Sequence, residues 1–193
     1  MRLGGDILAS YSFAKDAMLS PGNLARGAES DFSKKLILPT VINGVVFGAI
    51  AAFKTPRFSL WTVIFMVPAS VILFLISLVM AINFGGRIIH FLGRIVGVFG
   101  ESSDPTLNAV ICSVAPFATL SWLVVLWTPL SAVLSLWSFF ILVYALSAFH
   151  GISKKRALVA LSIPIAISVA YFLVDVYVGL YVSSMLGKSL FPV

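Results

Sequence analysis

Five long apolar segments set the limits on what this chain of 193 residues can fold into. They cover residues 36–53, 60–84, 106–127, 130–149 and 157–182. A helix of ~20 residues crosses a hydrocarbon core roughly 30 Å thick, and each segment is long enough to do so. The sequence therefore predicts an all-α integral membrane bundle of five transmembrane helices, formed by residues 36–193.

Composition excludes a soluble domain. The chain is 60% hydrophobic and 10% charged, whereas a soluble domain has roughly 25% charged residues. The net charge of +6 does not indicate nucleic-acid binding, because the cations lie in short loops between apolar blocks. Lys and Arg in such loops orient membrane spans and meet anionic lipid head groups. Membrane lipids are therefore the predicted partners.

Residues 1–35 form a polar segment ahead of the first span. Apolar residues between Ile7 and Met18 recur at spacings near 3.6, which indicates an amphipathic helix. Ser20-Pro21-Gly22-Asn23 then acts as a stop signal. We predict a cytoplasmic, interfacial helix whose apolar stripe dips into the acyl chains. A helix packed on the protein itself is the alternative interpretation.

Two connections between the apolar segments are informative. Only Thr128 and Pro129 separate the third segment from the fourth. Pro129 blocks the preceding helical hydrogen bond, so a tight hairpin is predicted there. Residues 85–105 carry an apolar stripe interrupted by cations and a histidine. This pattern predicts either an amphipathic helix on the membrane surface or an extension of the second span.

The stretch from His150 to Arg156 is the densest cationic mark beside an apolar segment. With five spans it shares one side with the N-terminal segment and the second loop. That side carries ten cations, namely Arg2, Lys15, Arg26, Lys34, Lys35, Arg87, Arg94, Lys154, Lys155 and Arg156. The other side carries three, namely Lys54, Arg57 and Lys188. Because cytoplasmic loops are rich in Lys and Arg, the bias predicts a cytoplasmic N-terminus and a C-terminus outside.

Lys154, Lys155 and Arg156 are the predicted contacts for lipid head groups, because clustered cations at a membrane edge attract anionic lipid. Asp175 is the one acidic residue within a predicted span. Counted from Ala157 at 1.5 Å per residue, it lies ~27 Å along its helix, close to the outer interface. This depth favours an interfacial carboxylate, and a gating or ion-binding role is the alternative.

Four polar residues at the predicted cytoplasmic boundary form a candidate polar or ion site. They are His90, His150, Asn83 and Asn108. No His-x₃-His or Cys-x₂-Cys spacing accompanies them, so no metal is predicted. The plainer interpretation is a set of interfacial residues.

Pro68, Pro116 and Pro164 lie inside predicted spans and are expected to kink their helices. Kinks can serve as transporter hinges, but neighbouring helices also satisfy the freed carbonyls, and we favour that structural interpretation. Gly44 and Gly48 form a small-xxx-small pattern, typical of close helix contacts. The contact would lie within the bundle or in a homodimer.

The sequence contains no phosphate-binding loop, zinc signature or Gly-x-Ser-x-Gly motif, so we predict a non-enzymatic protein without a cofactor. The predicted role is a scaffold or a membrane-organising, trafficking-type protein. It would bind lipids, a partner membrane protein or a second copy of itself. The alternative is a small channel or transporter that uses the proline-kinked helices and Asp175.

The run from Tyr144 through His150-Gly151 to Ala157, followed by a span containing Pro164, resembles the last loop of Yip1-domain membrane proteins. In prokaryotic members this loop reads as a small-residue helix end, a His-Gly-like turn, then cations and alanine. The Leu19-Ser20-Pro21 turn and the region of Pro116 are also similar. The resemblance covers roughly residues 19–173.

The resemblance implies a five-helix membrane domain with a cytoplasmic N-terminus. Eukaryotic members of the family are linked to Rab GTPases, vesicle trafficking and membrane shaping. Their Asp-Leu-Tyr-Gly-Pro motif and paired Gly-Tyr are absent from this sequence. The resemblance is therefore to a prokaryotic-type member, and it does not imply a GTPase partner.

Overall fold

The computed structural model describes residues 3–26, 32–56 and 58–190. Every regular element within these ranges is helical, which confirms the all-α class. The helices are α1 (Leu3–Leu19), α2 (Pro21–Arg26), α3 (Phe32–Lys54), α4 (Leu60–Met80), α5 (Gly86–Ile95), α6 (Asp104–Leu120), α7 (Trp122–Leu126), α8 (Leu130–Phe149) and α9 (Lys154–Leu190), with a π-helical turn at Ala81–Gly85 between α4 and α5.

Three helical stretches in the described ranges are long and apolar enough to cross a membrane. They are Lys34–Lys54, Leu60–Ile95 and Leu130–Phe149, and they coincide with the first, second and fourth predicted spans. The third predicted span differs from expectation, because the structure divides it into α6 and α7. The fifth predicted span lies within α9. Five membrane crossings therefore stay a prediction. The boundary between an N-terminal segment, residues 1–35, and a membrane domain, residues 36–193, also stays a prediction.

The helix of the second predicted span continues without a break through the π-helical turn into α5, which carries Arg87 and Arg94. In the π-helical turn the backbone N–H of Gly86 bonds to the carbonyl of Ala81, five residues back, as well as to that of Ile82. A π turn contains one residue more than the α-helical turn it replaces. Of the two interpretations of residues 85–105, the structure thus shows an extension of the span, and it ends at Ile95.

Helix α6 lies at the centre of the bundle, in contact with α1, α3, α5 and α8. Its buried residues include Ala109, Cys112, Ala115 and Ala118, three positions apart and at most 6% exposed. Small side chains let neighbouring helices approach closely. The sequence of α6 therefore suits a helix that is surrounded by others.

The small-xxx-small pattern of α3 faces α4 within the same chain. A Cβ built on Gly44 would lie 2.8 Å from Cα of Val71, and one on Gly48 would lie 2.7 Å from Cα of Val67. Real Cβ atoms essentially never come so near to backbone. The two glycines thus serve the α3–α4 contact, and of the two predicted uses the structure shows the one within the bundle.

Because backbone atoms of α4 stand against Gly44, a side chain there must push the two helices apart. We expect Gly44→Leu to lower the free energy of unfolding by about 1–3 kcal/mol, the usual cost of overpacking. Thermal unfolding of the purified protein in detergent would measure it. Gly100→Ala is the matched control, since a Cβ at Gly100 meets nothing within 4 Å. Equal unfolding temperatures for both variants would contradict the close approach.

The break between α6 and α7 is held by an amide from α3. Asn43 is 2% exposed, and its Nδ2 donates to the Phe117 carbonyl at 3.2 Å and to the Ser121 hydroxyl at 2.6 Å. The backbone N–H of Trp122 donates to Asn43 Oδ1 at 3.1 Å. Buried polar groups are costly without partners. Asn43 supplies those partners where the α6 ladder ends.

The N-terminal helix α1 packs against α3 and α6. Phe13, Ala14 and Ala17 are buried on this face, at 4% exposure or less. The chain then turns at Ser20, and α2 lies against α8. The predicted stop at 20–23 is thus correct for α1, but Pro21 begins α2, because proline is well suited to the first position of a helix.

The three predicted kink prolines lie inside helices that continue past them. Pro68 is in α4, Pro116 in α6 and Pro164 in α9. Pro116 is fully buried, and α6 ends four residues after it. Pro39 in α3 also lies inside a helix and was not among the predicted kink sites.

Candidate functional site

A polar centre lies where α5, α6 and the end of α8 meet. Helix α5 contributes the buried residues Gly86, His90 and Gly93. The spacing of four and three residues places them on one side of the helix. Because Gly86 and Gly93 have no Cβ, Leu107 and the Phe99 ring can approach this face, beside His90, which is 7% exposed.

The end of α5 folds a phenyl ring back over this face. Gly97 has a φ of +69°, and the N–H groups of Val98 and Phe99 bond to the Gly93 carbonyl. This is the pattern of a helix that ends at a glycine in the left-handed region. A Cβ on Gly93 would lie 2.1 Å from the Phe99 ring, so only glycine permits the ring to lie there.

Helix α8 also ends at a glycine in the left-handed region. Gly151 has a φ of +62°, and the N–H of Ile152 bonds to the Ser147 carbonyl at 3.0 Å. This ending turns the chain sharply after His150. The His150 ring stacks on Phe99 with centroids 4.2 Å apart.

Thr106 joins the two histidines. Its hydroxyl lies 3.0 Å from His90 Nδ1 and 2.8 Å from His150 Nε2. Thr106 is fully buried, and Phe99 is 7% exposed. We call His90, Phe99, Thr106 and His150 the histidine centre.

The hydrogen-bond pattern favours one arrangement of protons. A threonine hydroxyl donates one hydrogen bond and accepts others. His90 Nε2 is buried and has no hydrogen-bond partner among the described residues, and a buried N–H without an acceptor is rarer than an unfilled acceptor. We therefore assign the proton of His90 to Nδ1, which donates to Thr106, and the Thr106 hydroxyl donates to His150 Nε2.

The surroundings of His150 disfavour its charged form. The pKa of His150 is lowered from its usual 6.5, first because burial disfavours the imidazolium and second because His90 is close. A cation on either ring would repel a cation on the other. Protonation of His150 is therefore disfavoured in the folded protein.

The chemistry open to the histidine centre is limited. Thr106 Oγ1 lies between the two histidines and occupies one nitrogen of each. In the part of the chain that the structure describes, no group of three His, Cys, Asp or Glu residues is placed to hold a metal. Because Thr106 is fully buried, a substrate could not reach its hydroxyl. The centre is suited to joining three helices.

A cationic surface follows directly in the chain. Lys154, Lys155 and Arg156, which we call the cationic turn, form the first turn of α9 and are all exposed. Lys154 Nζ lies 3.8 Å from the centroid of the Tyr144 ring on α8. This cation–π contact orients the ammonium toward α8.

The histidine centre and the cationic turn both lie in a region that matches a known protein family. The family profile of the Yip1 domain matches residues 15–175, a range that includes the histidine centre and the cationic turn. The chain belongs to the Yip1 family. The resemblance seen in the sequence is thereby confirmed, and the chain is a membrane protein. No match was found to a curated protein or to a solved structure.

The other predicted polar or ion-site residues of this Yip1-family protein are Asn83, Asn108 and Asp175. Asn83 is exposed, and its Nδ2 donates to the Val79 carbonyl. Asn108 is half-buried on α6. Neither is hydrogen-bonded to a histidine of the centre. Asp175 falls within α9, but its side chain lies outside the described residues, so its role stays a prediction.

Three contributing residues were missed from the sequence, namely Thr106, Phe99 and Asn43. Thr106 follows Pro105 at the start of α6, at the same predicted depth as the histidines, and this position was a usable signal. Asn43 is an amide in the middle of an apolar segment, where polar residues call for a partner. No local pattern marks Phe99, since its position depends on the turn at Gly97.

Acid should weaken the fold of this Yip1-family protein through His150. Because the folded-state pKa lies below the unfolded value of about 6.5, the unfolded chain binds more protons below that pH. The contribution to stability is complete above pH 6.5 and is lost as the pH falls toward the folded pKa. Unfolding temperatures at pH 7.5 and 5.5 should therefore diverge more in the wild type than in His150→Gln. An equal divergence would count against the assignment.

Proposed function

We propose that this Yip1-family protein organises its membrane by binding anionic lipids and partner membrane proteins, without catalysing a reaction. The main observation that supports this proposal is the cationic turn. Three cations occupy the first turn of α9, and that turn contains no acidic residue. The amino end of a helix has a partial positive charge, so cations there are unfavourable. An anion from outside the chain would relieve this repulsion, and anionic head groups are available at a membrane edge.

The apolar surface of α4 and α5 supports contact with lipid tails. Large side chains are more than 60% exposed along this continuous helix, including Trp61, Phe65, Leu73, Phe84 and Phe91. Soluble monomers rarely expose apolar patches of such extent. Acyl chains are the natural cover for a helix that is long enough to span a bilayer.

The proposed topology has five spans, with the N-terminus and the cationic turn in the cytoplasm. The ten-to-three distribution of cations supports it. Helix α1 would lie at the cytoplasmic interface while it packs on the bundle. Its exposed Leu8 and Leu19 would contact acyl chains there.

A face of α9 is suited to a partner membrane protein or a second copy of the chain. Ser162, Ala166 and Ala170 are exposed and four residues apart. Small residues in this pattern allow close helix contacts in membranes. The face supports a scaffold role, in which the protein brings membrane components together.

The channel or transporter alternative receives less support. A cavity of about 340 Å³ lies between α3, α4 and α6. Phe74, Leu78, Val114 and Phe117 line most of it, with Thr40 among the few polar neighbours. Ion pathways are usually lined by charged or polar groups. Binding therefore remains the proposed function.

Neutralising the cationic turn should reduce lipid selectivity. We expect the triple variant with Lys154→Gln, Lys155→Gln and Arg156→Gln to retain less anionic lipid, because each cation contributes about 1 kcal/mol near an anionic surface. The measurement is the anionic fraction among lipids co-extracted in polymer discs from vesicles of mixed phosphatidylglycerol and phosphatidylcholine.

A triple variant at Lys15, Arg87 and Arg94 is the matched control for this charge change, since these side chains are exposed and lie on the same predicted side. It should have a smaller effect. The same anionic fraction in wild type and in the cationic-turn variant would overturn the proposed function.

The proposed topology can be read with single cysteines. Cys112 is fully buried, so it should give little background with a membrane-impermeant thiol reagent. We expect Ser59→Cys to react in intact cells and Ser153→Cys to react only after lysis, since the two loops lie on opposite sides in the five-span arrangement. The reverse pattern, or reaction of both in intact cells, would refute that arrangement.

A further inference from the structure

The turn between α1 and α2 forms a groove with α8. Two adjoining cavities make up this groove, of about 330 Å³ and about 220 Å³. They share Leu19, Pro21 and Tyr144 in their walls. The two cavities differ in chemistry, and Tyr144 lies between them.

The first cavity has a mixed polar and apolar lining and carries a cation. Lys154 lines it, with its ammonium above the Tyr144 ring. Ser20 and Asn23 also line this end, as does Ser147, whose hydroxyl donates to the Ile152 carbonyl at 2.6 Å. The cavity therefore offers a positive charge and several hydrogen-bonding side chains, the usual combination for an anionic head group.

The second cavity is lined mainly by apolar and aromatic side chains. Trp137, Phe140 and Ile141 line it from α8, and Met18 lines it from α1. From Tyr144 to Trp137 is seven residues, or ~10 Å along the helix axis. This is about a third of the hydrocarbon thickness of a bilayer, so the groove runs from the end of α8 toward the middle of that helix.

The wall opposite α8 is held in place by the bundle. The Met18 thioether lies 3.7 Å from the Thr119 hydroxyl on α6, and Ala17 beside it is fully buried. Gly22 leaves space at the polar end, where an added Cβ would be 4.0 Å from the Ala148 Cβ. The groove thus has a fixed wall and an open polar entrance.

We propose that this groove binds one anionic phospholipid, with its phosphate at Lys154 and one acyl chain along Trp137 and Phe140. The inference rests on the proposed lipid-binding function and assigns it to a specific site. The groove combines a positive charge with an apolar wall, because the cavity that contains Lys154 adjoins one lined by aromatic rings. Each cavity is near the lower limit of ordinary ligand sites, which fits part of a single lipid.

The test uses the full-length protein in micelles of a neutral detergent, with phosphatidylglycerol titrated in and retained lipid counted by native mass spectrometry. We expect the wild type to retain one phosphatidylglycerol, and Lys154→Gln to weaken that binding about fivefold, which is the effect of one surface cation. Lys155→Gln is the matched control, because Lys155 is exposed but does not line the groove.

Gly22→Leu tests the shape of the groove without changing its charge. Leucine is favourable in a helix, and its side chain would fill the polar entrance, so phosphatidylglycerol should be lost while the lipid-free unfolding temperature stays near that of the wild type. Phosphatidylcholine should bind more weakly, and soluble glycerol phosphate should not compete, because it lacks the acyl chain.

Several outcomes would overturn the site. Equal weakening by Lys154→Gln and Lys155→Gln would show diffuse attraction to the cationic turn, and the proposed function would survive without the groove. A folded Gly22→Leu protein that retains phosphatidylglycerol would also exclude the groove. If even the triple neutralised variant bound phosphatidylglycerol like the wild type, both the site and the proposed function would fail.

Discussion

Hydrocarbon offers no hydrogen-bond partner to a peptide group, so every backbone donor and acceptor in a membrane span must be satisfied by the protein. Helices meet this requirement along most of the chain. Where the ladder of α6 ends, the Asn43 side chain bonds to the Phe117 carbonyl and the Trp122 N–H. One buried amide therefore makes an interruption of the third apolar segment tolerable, and it ties α3 to that point.

The stretch after α8 places two different features within a few residues. The left-handed φ of Gly151 ends α8, which leaves His150 facing Thr106 inside the bundle. Three residues after Gly151, Lys154 begins α9 on the surface and lies over Tyr144. The histidine centre and an exposed positive charge are thus separated by a single turn. Acid that disturbs His150 would act close to the surface that we propose binds lipid.

Much of the architecture follows from the lengths and composition of the apolar segments. The bounds of α8 agree with the predicted fourth span, and the break at Pro129 is where the missing N–H requires it. The π turn, the end of α6 at Leu120 and the bridge through Thr106 were not foreseen. Each depends on contacts between segments distant in the chain, which hydropathy and helical periodicity do not contain. The cationic turn was evident at once, because clustered charge beside an apolar segment needs no tertiary information.

The π-helical turn at Ala81–Gly85 changes the direction in which the side chains of α5 point. Successive residues of an α-helix are rotated by ~100° about the axis, so one additional residue in a turn rotates the following segment by about that angle. Gly86 and His90 face α6 in this rotated setting, where Gly86 meets Leu107. In a plain α-helix of the same sequence, His90 would be directed well away from Thr106. One continuous helix thus carries both the exposed apolar surface of α4 and the His90 side of the histidine centre, and the π turn sets the angle between them.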